Sequence, residues 1–579
     1  MIGRLSGRMT RRVGAGVAGA AVLIGAISIL ARATGFAKQL VFARAVGTNC
    51  LSTAYVTANN VPNIVFELVV GGALAGMVVP VLAGAAGRYA AVPARSGVTV
   101  PATGPDGSDL EAHEGRVADD ADEAGAREEV GWISSALLTW VIVLLVPLGV
   151  LTALLARPLV GLVASTVPGC DASEVVAVAS RMLVVFAPQI PLYGVAVVLY
   201  GVLQAHRRFS APAVAPLVSS VVVIVAYLVF VPLGGNGADL AALPRPAELA
   251  LSVGTTLGVL ALVVTVLGPV SRLGVRLRPT LRFPPGVAVQ VRRLALAGLS
   301  ALVAQQAATA IVIPVANRIG GGALAAYGYA WAIYQVPYAV LAVPIATSAF
   351  PVLSTRAAGG DLAGFAALSA RTTRAVVLVS GLAAGALAAV AMPAAQVFLD
   401  QADTSVDPAE FARAIALFAP GLVGYGLTAH LSRVLYADGR GREAARGMVA
   451  GWLIVIVAQV AFAAVLPAGW KLGGLALGQA VGMTAGGALL LVSVLRARGG
   501  KALHGIFRAT AAGLLGGVAG WLAGTGVVRL VGGTGPWASA GVAVLAGLAA
   551  VAAGALVAAA VDREDLRAAR RRGKEGEGV

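Results

Sequence analysis

Between Ile27 and Leu82 two long apolar segments meet at a short polar turn near Thr48–Ser52. Inside them sit Arg32, Lys38 and Glu67, together with Asn59, Asn60, Pro62 and Asn63. A charge at the centre of a membrane helix costs about 2.5–3.5 kcal/mol on insertion scales, so such residues face a protein interior or a wet cavity. Bilayer-length apolar runs that carry ionisable groups leave few folds open. The pattern predicts a helical membrane bundle around a polar cavity, as in a transporter.

The same ruler, about twenty apolar residues per crossing, picks out fourteen stretches, beginning with 15–45 and 54–87 and ending with 505–531 and 537–561. The predicted class is an all-α polytopic membrane protein. Charged residues make up 12% of the 579, against roughly 25% in soluble chains. The net charge of +16 falls between the apolar stretches. Arg207 and Arg208, then Arg272 to Arg293, Arg440 to Arg446, Arg496 to Arg508 and Arg563 to Lys574 all lie on one side. That bias predicts a plasma-membrane protein with both termini cytoplasmic. Aromatics are not interleaved with the basic residues, which argues against nucleic acid as a partner.

Arg4, Arg8, Arg11 and Arg12 precede the first apolar run, but that run is too long for a signal peptide and reads as an uncleaved span. The histidines (His113, His206, His430, His504) have no partner at ligand spacing, and two cysteines cannot build a disulfide framework. No metal, cofactor, catalytic constellation or enzymatic activity is expected. Cys50 and Cys170 both fall on the outer side, where oxidation is possible; the expectation is that they stay unbridged.

The segment 91–130 is rich in Pro, Gly, Ser and acid and reads as a disordered cytoplasmic loop. Its run Asp119-Asp120-Ala121-Asp122-Glu123 resembles the aspartate-rich metal motifs of prenyl-diphosphate enzymes, but like-charge blocks of this kind are usually solvated. The chain also repeats itself. Arg181 to Pro188 is echoed by Arg413 to Pro420 at an offset of 232, and Arg208 by Arg440, whereas Pro80-Val81-Leu82 is echoed by Pro351-Val352-Leu353 at 271. The acidic loop accounts for the difference. Six spans per half make the halves parallel in topology. The predicted organisation is a cytoplasmic N-terminus (1–14), an N-lobe (15–270), a basic linker (271–292), a C-lobe (293–495), two appended helices (505–561) and a basic cytoplasmic tail (562–579).

Several motifs resemble one family. Ala31-Arg32-Ala33-Thr34-Gly35-Phe36-Ala37-Lys38 is similar to the S-R-x-x-G-F-x-R opening of the MurJ/MviN family, the lipid II flippases of peptidoglycan synthesis. Phe42 to Gly47, Pro62-Asn63, Val79 to Leu82 and Arg208 to Pro216 fall where that family has its own motifs, in order and across the whole chain. The family belongs to the MATE-like multidrug/oligosaccharidyl-lipid/polysaccharide exporter superfamily. Pro62-Asn63-Ile64-Val65-Phe66-Glu67 resembles the branch from high-GC Gram-positive bacteria. Glu67 stands where many relatives have Arg, and Ala330 to Pro337 lacks the charges of their A-D-R-x-x-E-x-P run.

The resemblance implies outward movement of lipid II, an undecaprenyl-diphosphate-linked disaccharide peptide, by alternating access. The lipid tail would lie along the last two helices. Membrane lipids and cell-wall synthesis or division proteins are the other implied partners. The alternatives are export of another polyprenyl-linked glycan and a non-transporting scaffold of cell-wall synthesis. Arg32 and Lys38 are the candidates for the diphosphate, since Arg offers bidentate phosphate contacts and Lys a compact charge. They lie six residues apart, about 600° around a helix, so they do not share a face. Asn59, Asn60, Gln305 and Gln335, with Gln306 beside them, are candidates for hydrogen bonds to the headgroup or between helices. Glu67 is expected to pair with Arg32 or Lys38, or to take a coupling proton. The cavity is expected to be net cationic, and Arg181 and Arg413 are expected to be interface anchors.

Overall fold

A computed structural model describes residues 27, 29–69, 108–206, 208–274, 277–283, 287–400, 403–533 and 535–562. The expectations for the N-terminus, for the far part of the second span, for residues 91–107 and for the tail beyond 562 lie outside the described residues. Regular structure among the described residues is helical, with one isolated bridge between Thr48 and Thr404. Helix α1 covers 29–45 and α2 covers Cys50–Val69. Among the described residues twelve helical segments, α1 and α2 not among them, are long and apolar enough to cross a membrane. They are α3 (Val130–Leu154), α4 (Ala172–Ala205), α5 (Ser210–Gly235), α6 (Arg245–Ser271), α7 (Leu299–Asn317), α8 (Ala323–Ala358), α9 (Leu362–Ala389), α10 (Pro408–Ala437), α11 (Gly441–Val465), α12 (Ala468–Arg498), α13 (Gly500–Val531) and α14 (Pro536–Val561). The chain is a multi-pass membrane protein.

The internal repeat reappears in the backbone residue for residue. Pro188 ends a helix at Phe186 and a new one starts at Gln189; Pro420 does the same between Phe418 and Gly421. Both second halves end at the equivalent positions Ala205 and Ala437. There Arg208 N donates to Leu203 O and Arg440 N to Leu435 O, both at 2.8 Å. Asp171 and Asp407 cap the two starts, accepting from Ser173 N and Ala409 N. A nine-residue helix precedes each, Ala156–Ala164 and Ala391–Leu399.

One expectation needs correcting here. The helix that becomes α3 begins at Ser108, so the second half of the 91–130 segment is helical, not loop. The stretch from Ser108 to Val130 is rich in Ala and Glu, good helix formers, and contains no Pro. The acidic character set the expectation and hid that propensity.

The two lobes meet at the end that the charge bias assigns to the outside. Thr48 N donates to Asp403 O at 2.8 Å and Ser405 N to Thr48 O at 2.9 Å. Gly322 N donates to Thr53 Oγ1 at 2.7 Å; Asn317 Nδ2 reaches Val163 O at 2.9 Å and Thr57 Oγ1 at 3.1 Å. Gly47 and Gly322 have positive φ, and a Cβ there would meet Asp403 O or Thr48 O at 2.1 and 2.2 Å. Only glycine lets the loops close this tightly. Cys50 and Cys170 form a disulfide with a Cα–Cα distance of 5.7 Å, against the expectation that they stay unbridged. Cys50 opens α2 and Cys170 lies in the loop before α4, and the fold brings together what 120 residues of sequence separate.

Candidate functional site

Beneath that seal lies a cavity of about 450 Å³. Its roof is aromatic. Phe42 stands 4.9 Å from Tyr55 and 5.0 Å from Tyr227, centroid to centroid, and 6.3 Å from Tyr329 of the other lobe. The Tyr55 hydroxyl is held by Tyr227 at 2.9 Å and Thr255 at 2.7 Å, so the buried phenols are satisfied.

One wall belongs to the N-lobe. From α1 come Lys38 and Gln39; from α2 come Asn59, Asn60, Asn63 and Glu67. The α2 residues fall at helical spacing on one face, one, three and four residues apart around Pro62. Asn60 Nδ2 turns back to Val56 O at 2.9 Å, whereas Asn59 Oδ1 has no partner. Asn63 Oδ1 accepts from the Tyr193 hydroxyl at 3.2 Å. The opposite wall belongs to the C-lobe. It carries Gln305 and Gln306 of α7, Trp331 and Gln335 of α8, Trp452 and Gln459 of α11, and Gln479 of α12.

Eight of the residues named from the sequence therefore share one cavity: Lys38, Asn59, Asn60, Asn63, Glu67, Gln305, Gln306 and Gln335. Arg32 does not line it and is exposed. It lies about 9 Å along the helix from Lys38 and off its face, as the 600° between them requires. Nor is Glu67 in an ion pair with Arg32 or Lys38; the ion pairs among the described residues involve other groups. Glu67 lines the cavity near the far end of α2 with its surface exposed, apart from both cations. The expectation of a net cationic cavity is corrected too. Lys38 and Glu67 are the charged side chains lining it, and they balance.

Trp331, Trp452, Gln459 and Gln479 were not singled out by sequence. The signal for the glutamines was the one used for Gln305: an uncharged polar residue inside an apolar span. Gln335, Trp331 and Gly328 also fall four and seven residues apart, on one helix face.

A second space of about 510 Å³ lies beside the C-lobe, between α9, α10 and α13. It is lined by small and apolar residues, among them Gly381, Gly385, Gly513, Gly517 and Trp521. Among the described residues no cluster of His, Cys, Asp and Glu is arranged to hold a metal.

Comparison with known proteins sets this geometry in context. The family model described as "Lipid II flippase MurJ" matches residues 42–528. A solved structure described as "Lipid II flippase MurJ, inward closed conformation" is similar at 16% identity with a TM-score of 0.67, covering 94% of this chain and 99% of that one. An inward-facing multidrug resistance MATE family transporter of the MOP superfamily is similar at 14% identity and TM-score 0.60, covering 83% of this chain and 98% of that one. A MOP superfamily transporter from Pyrococcus furiosus, described by a reversed polarity of its binding pocket, follows at 15%, TM-score 0.51, and 83% and 96% coverage. At these identities the structural likeness is one of fold.

Proposed function

Since this chain belongs to the lipid II flippase MurJ family, we propose that it carries the lipid II headgroup through the cavity between its lobes, with Lys38 as the contact for the diphosphate. The chain is a lipid II flippase working by alternating access, and family membership favours this over export of another glycan and over a scaffold. The observation that carries the role of Lys38 is its place: a lysine on the wall of a cavity enclosed by both lobes. A diphosphate leaving water loses solvation that a cation restores. Arg32, exposed on the same helix, suits an approach position before the headgroup reaches the cavity. Glu67 is free to take a proton or to meet Lys38 in another state of the cycle. The groove beside α9 and α13 is apolar and glycine-lined, which suits the polyprenyl tail.

A cytoplasmic N-terminus and C-terminus fit the charge bias. The Cys50–Cys170 bridge supports the same orientation, since disulfides persist on the oxidising side of the membrane. Partners among cell-wall synthesis proteins are part of this reading, as are surrounding lipids; a catalytic role is not. The test is replacement of the native copy by Lys38→Ala in cells, followed by a leaflet-resolved assay of lipid II. Loss of one charge-assisted contact predicts outward movement slowed roughly 10- to 100-fold. Unchanged movement with normal growth would remove Lys38 from the site.

A further inference from the structure

The two walls of the cavity differ in kind. Both charged lining groups, Lys38 and Glu67, are on the N-lobe wall; the C-lobe wall presents Gln305, Gln306, Gln335, Gln459 and Gln479 with Trp331 and Trp452. We propose that the C-lobe wall is a sugar subsite that takes a neutral pyranose ring of the headgroup, with Trp331 as its stacking platform and Gln335 and Gln479 as its hydroxyl- and amide-binding groups. The assignment rests on the flippase reading above and adds which part of the substrate each lobe holds.

Three observations carry it. First, Gln479 is 2% exposed, and its Nε2 has no hydrogen-bond partner; nor has Gln335 Oε1. A buried amide left unmatched is costly in a membrane, so a ligand that supplies both donors and acceptors is the natural complement. A hydroxyl or acetamido group does that; a phosphate, which only accepts, cannot satisfy Gln335 Oε1. Second, Gln459 is matched already, donating to the Tyr327 hydroxyl at 2.9 Å and to Leu475 O at 3.2 Å. It serves to fix the wall; on the C-lobe side the unmatched buried atoms lining the cavity are those of Gln335 and Gln479, with Asn59 Oδ1 facing them from the N-lobe wall. Third, Trp331 is half-buried and backed by Tyr334 at 5.4 Å and Tyr425 at 6.0 Å. Beside it Gly328 presents bare backbone, where an added Cβ would meet nothing within 4 Å. A rigid aromatic face next to an open strip of backbone accommodates the flat C–H face of a sugar ring.

The charge pattern excludes the other small ligands of this size. A cationic drug would want net negative lining, and this lining balances. An isolated phosphate would seek cations, and this wall has none among the described residues. A cavity of about 450 Å³ sits at the lower end of the ~300–1,000 Å³ typical of small-molecule sites. It fits a ring or two, not a whole peptide-bearing headgroup. The headgroup is thus oriented, diphosphate to α1 and sugar to α8 and α12.

The test compares two lipids with the same tail, lipid II and undecaprenyl diphosphate, the second lacking sugar and peptide and ending in a free phosphate, each bound to the purified full chain and quantified by native mass spectrometry. The wild type is expected to prefer lipid II by about tenfold or more. Trp331→Leu and Gln479→Leu should each erase most of that preference while leaving undecaprenyl diphosphate bound as before. Trp331→Phe, which keeps a stacking face, should retain it, and Lys38→Ala should weaken both lipids alike. Equal binding of the two lipids by the wild type, or a preference that survives both Leu variants, overturns the sugar subsite and leaves the flippase reading standing. Failure of the wild type to bind lipid II at all overturns the flippase reading itself. Either Leu variant suffices should the other fail to fold.

Discussion

Arg181 and Arg413, equivalent in the repeat, do the same job by different means. Arg181 donates from Nε and Nη2 to the two oxygens of Glu248 at 2.9 and 2.8 Å, tying α4 to the start of α6. Arg413 donates to Gly469 O at 2.5 Å and lies 5.2 Å above the Trp470 ring, tying α10 to the start of α12. The sequence marks both as interface anchors but is silent about their partners. Glu248 is 3% exposed, so Arg181→Ala strands a buried carboxylate. It should cost about 3 kcal/mol, at the low end for such a pair because Arg245 stays within 3.5 Å. Arg413→Ala loses a neutral acceptor and a cation–π contact, about 1 kcal/mol. Thermal unfolding in detergent should rank Arg181→Ala clearly below Arg413→Ala; equal losses would contradict the burial argument. At this scale charge is legible in sequence, and so is the difference in facing between Arg32 and Lys38; which of the two faces the cavity is not. Lys38 and Arg32 carry the same charge, and their different fates depend on helix rotation. Gln459 and Gln479 passed unnoticed because a lone amide in an apolar span has no pattern until its neighbours are known.

Helices α9, α13 and α14 are joined by glycine. Gly381 and Gly385 of α9 lie against Gly513 and Gly517 of α13; a Cβ at Gly385 would meet Gly517 O at 2.1 Å. The other face of α13 presents Gly516, Gly520 and Gly524 to Gly554, Ala550 and Ala546 of α14, with their carbonyl oxygens 2.5–2.8 Å from the added carbons. Small residues at four-residue spacing allow this approach in lipid, where packing stands in for a hydrophobic drive. The pairing register shows α9 and α13 parallel and α13 and α14 antiparallel, as alternate crossings require. Gly385→Leu should push α13 away and cost about 1–3 kcal/mol in overpacking. It should also deform the groove, so that lipid II co-purifies in clearly lower amount. Gly526→Leu, where a Cβ meets nothing within 4 Å, is the control and should retain lipid. Equal retention by both would separate the groove from the tail. The elements themselves were largely legible, because hydrophobic length and the repeat report on them directly, down to the breaks at Pro188 and Pro420. The helix from Ser108 was not, since acidic composition masked its propensity.

Seen whole, the molecule is closed at one end by hydrogen bonds of backbone and short polar side chains. The cross-lobe bonds of Thr48, Thr53, Asn317, Gly322 and Ser405 are each worth about 0.5–1.5 kcal/mol net. A transporter must break them in every cycle, so they set the balance between its states. Gly47→Ala, which places a methyl within 2.1 Å of Asp403 O at φ +87°, should loosen the seal. With a cysteine at Asn59 as reporter, an impermeant maleimide added outside should label this variant several-fold faster than its Gly47 parent. Unchanged labelling would mean that the loops are not the gate. None of this closure was legible, for it joins residues 154 to 269 positions apart through side chains of no distinctive pattern, and Thr48 to Asp403 and Ser405 through backbone atoms that any sequence possesses. The bridge between Cys50 and Cys170 has a last consequence of its own. It makes α2, α3 and everything between them a covalent ring. A protease that cuts the chain between these helices, on the face opposite the bridge, leaves two fragments that still migrate as one band until a thiol reductant separates them. The N-lobe therefore keeps its outer geometry through a nick that would otherwise cut the protein in two.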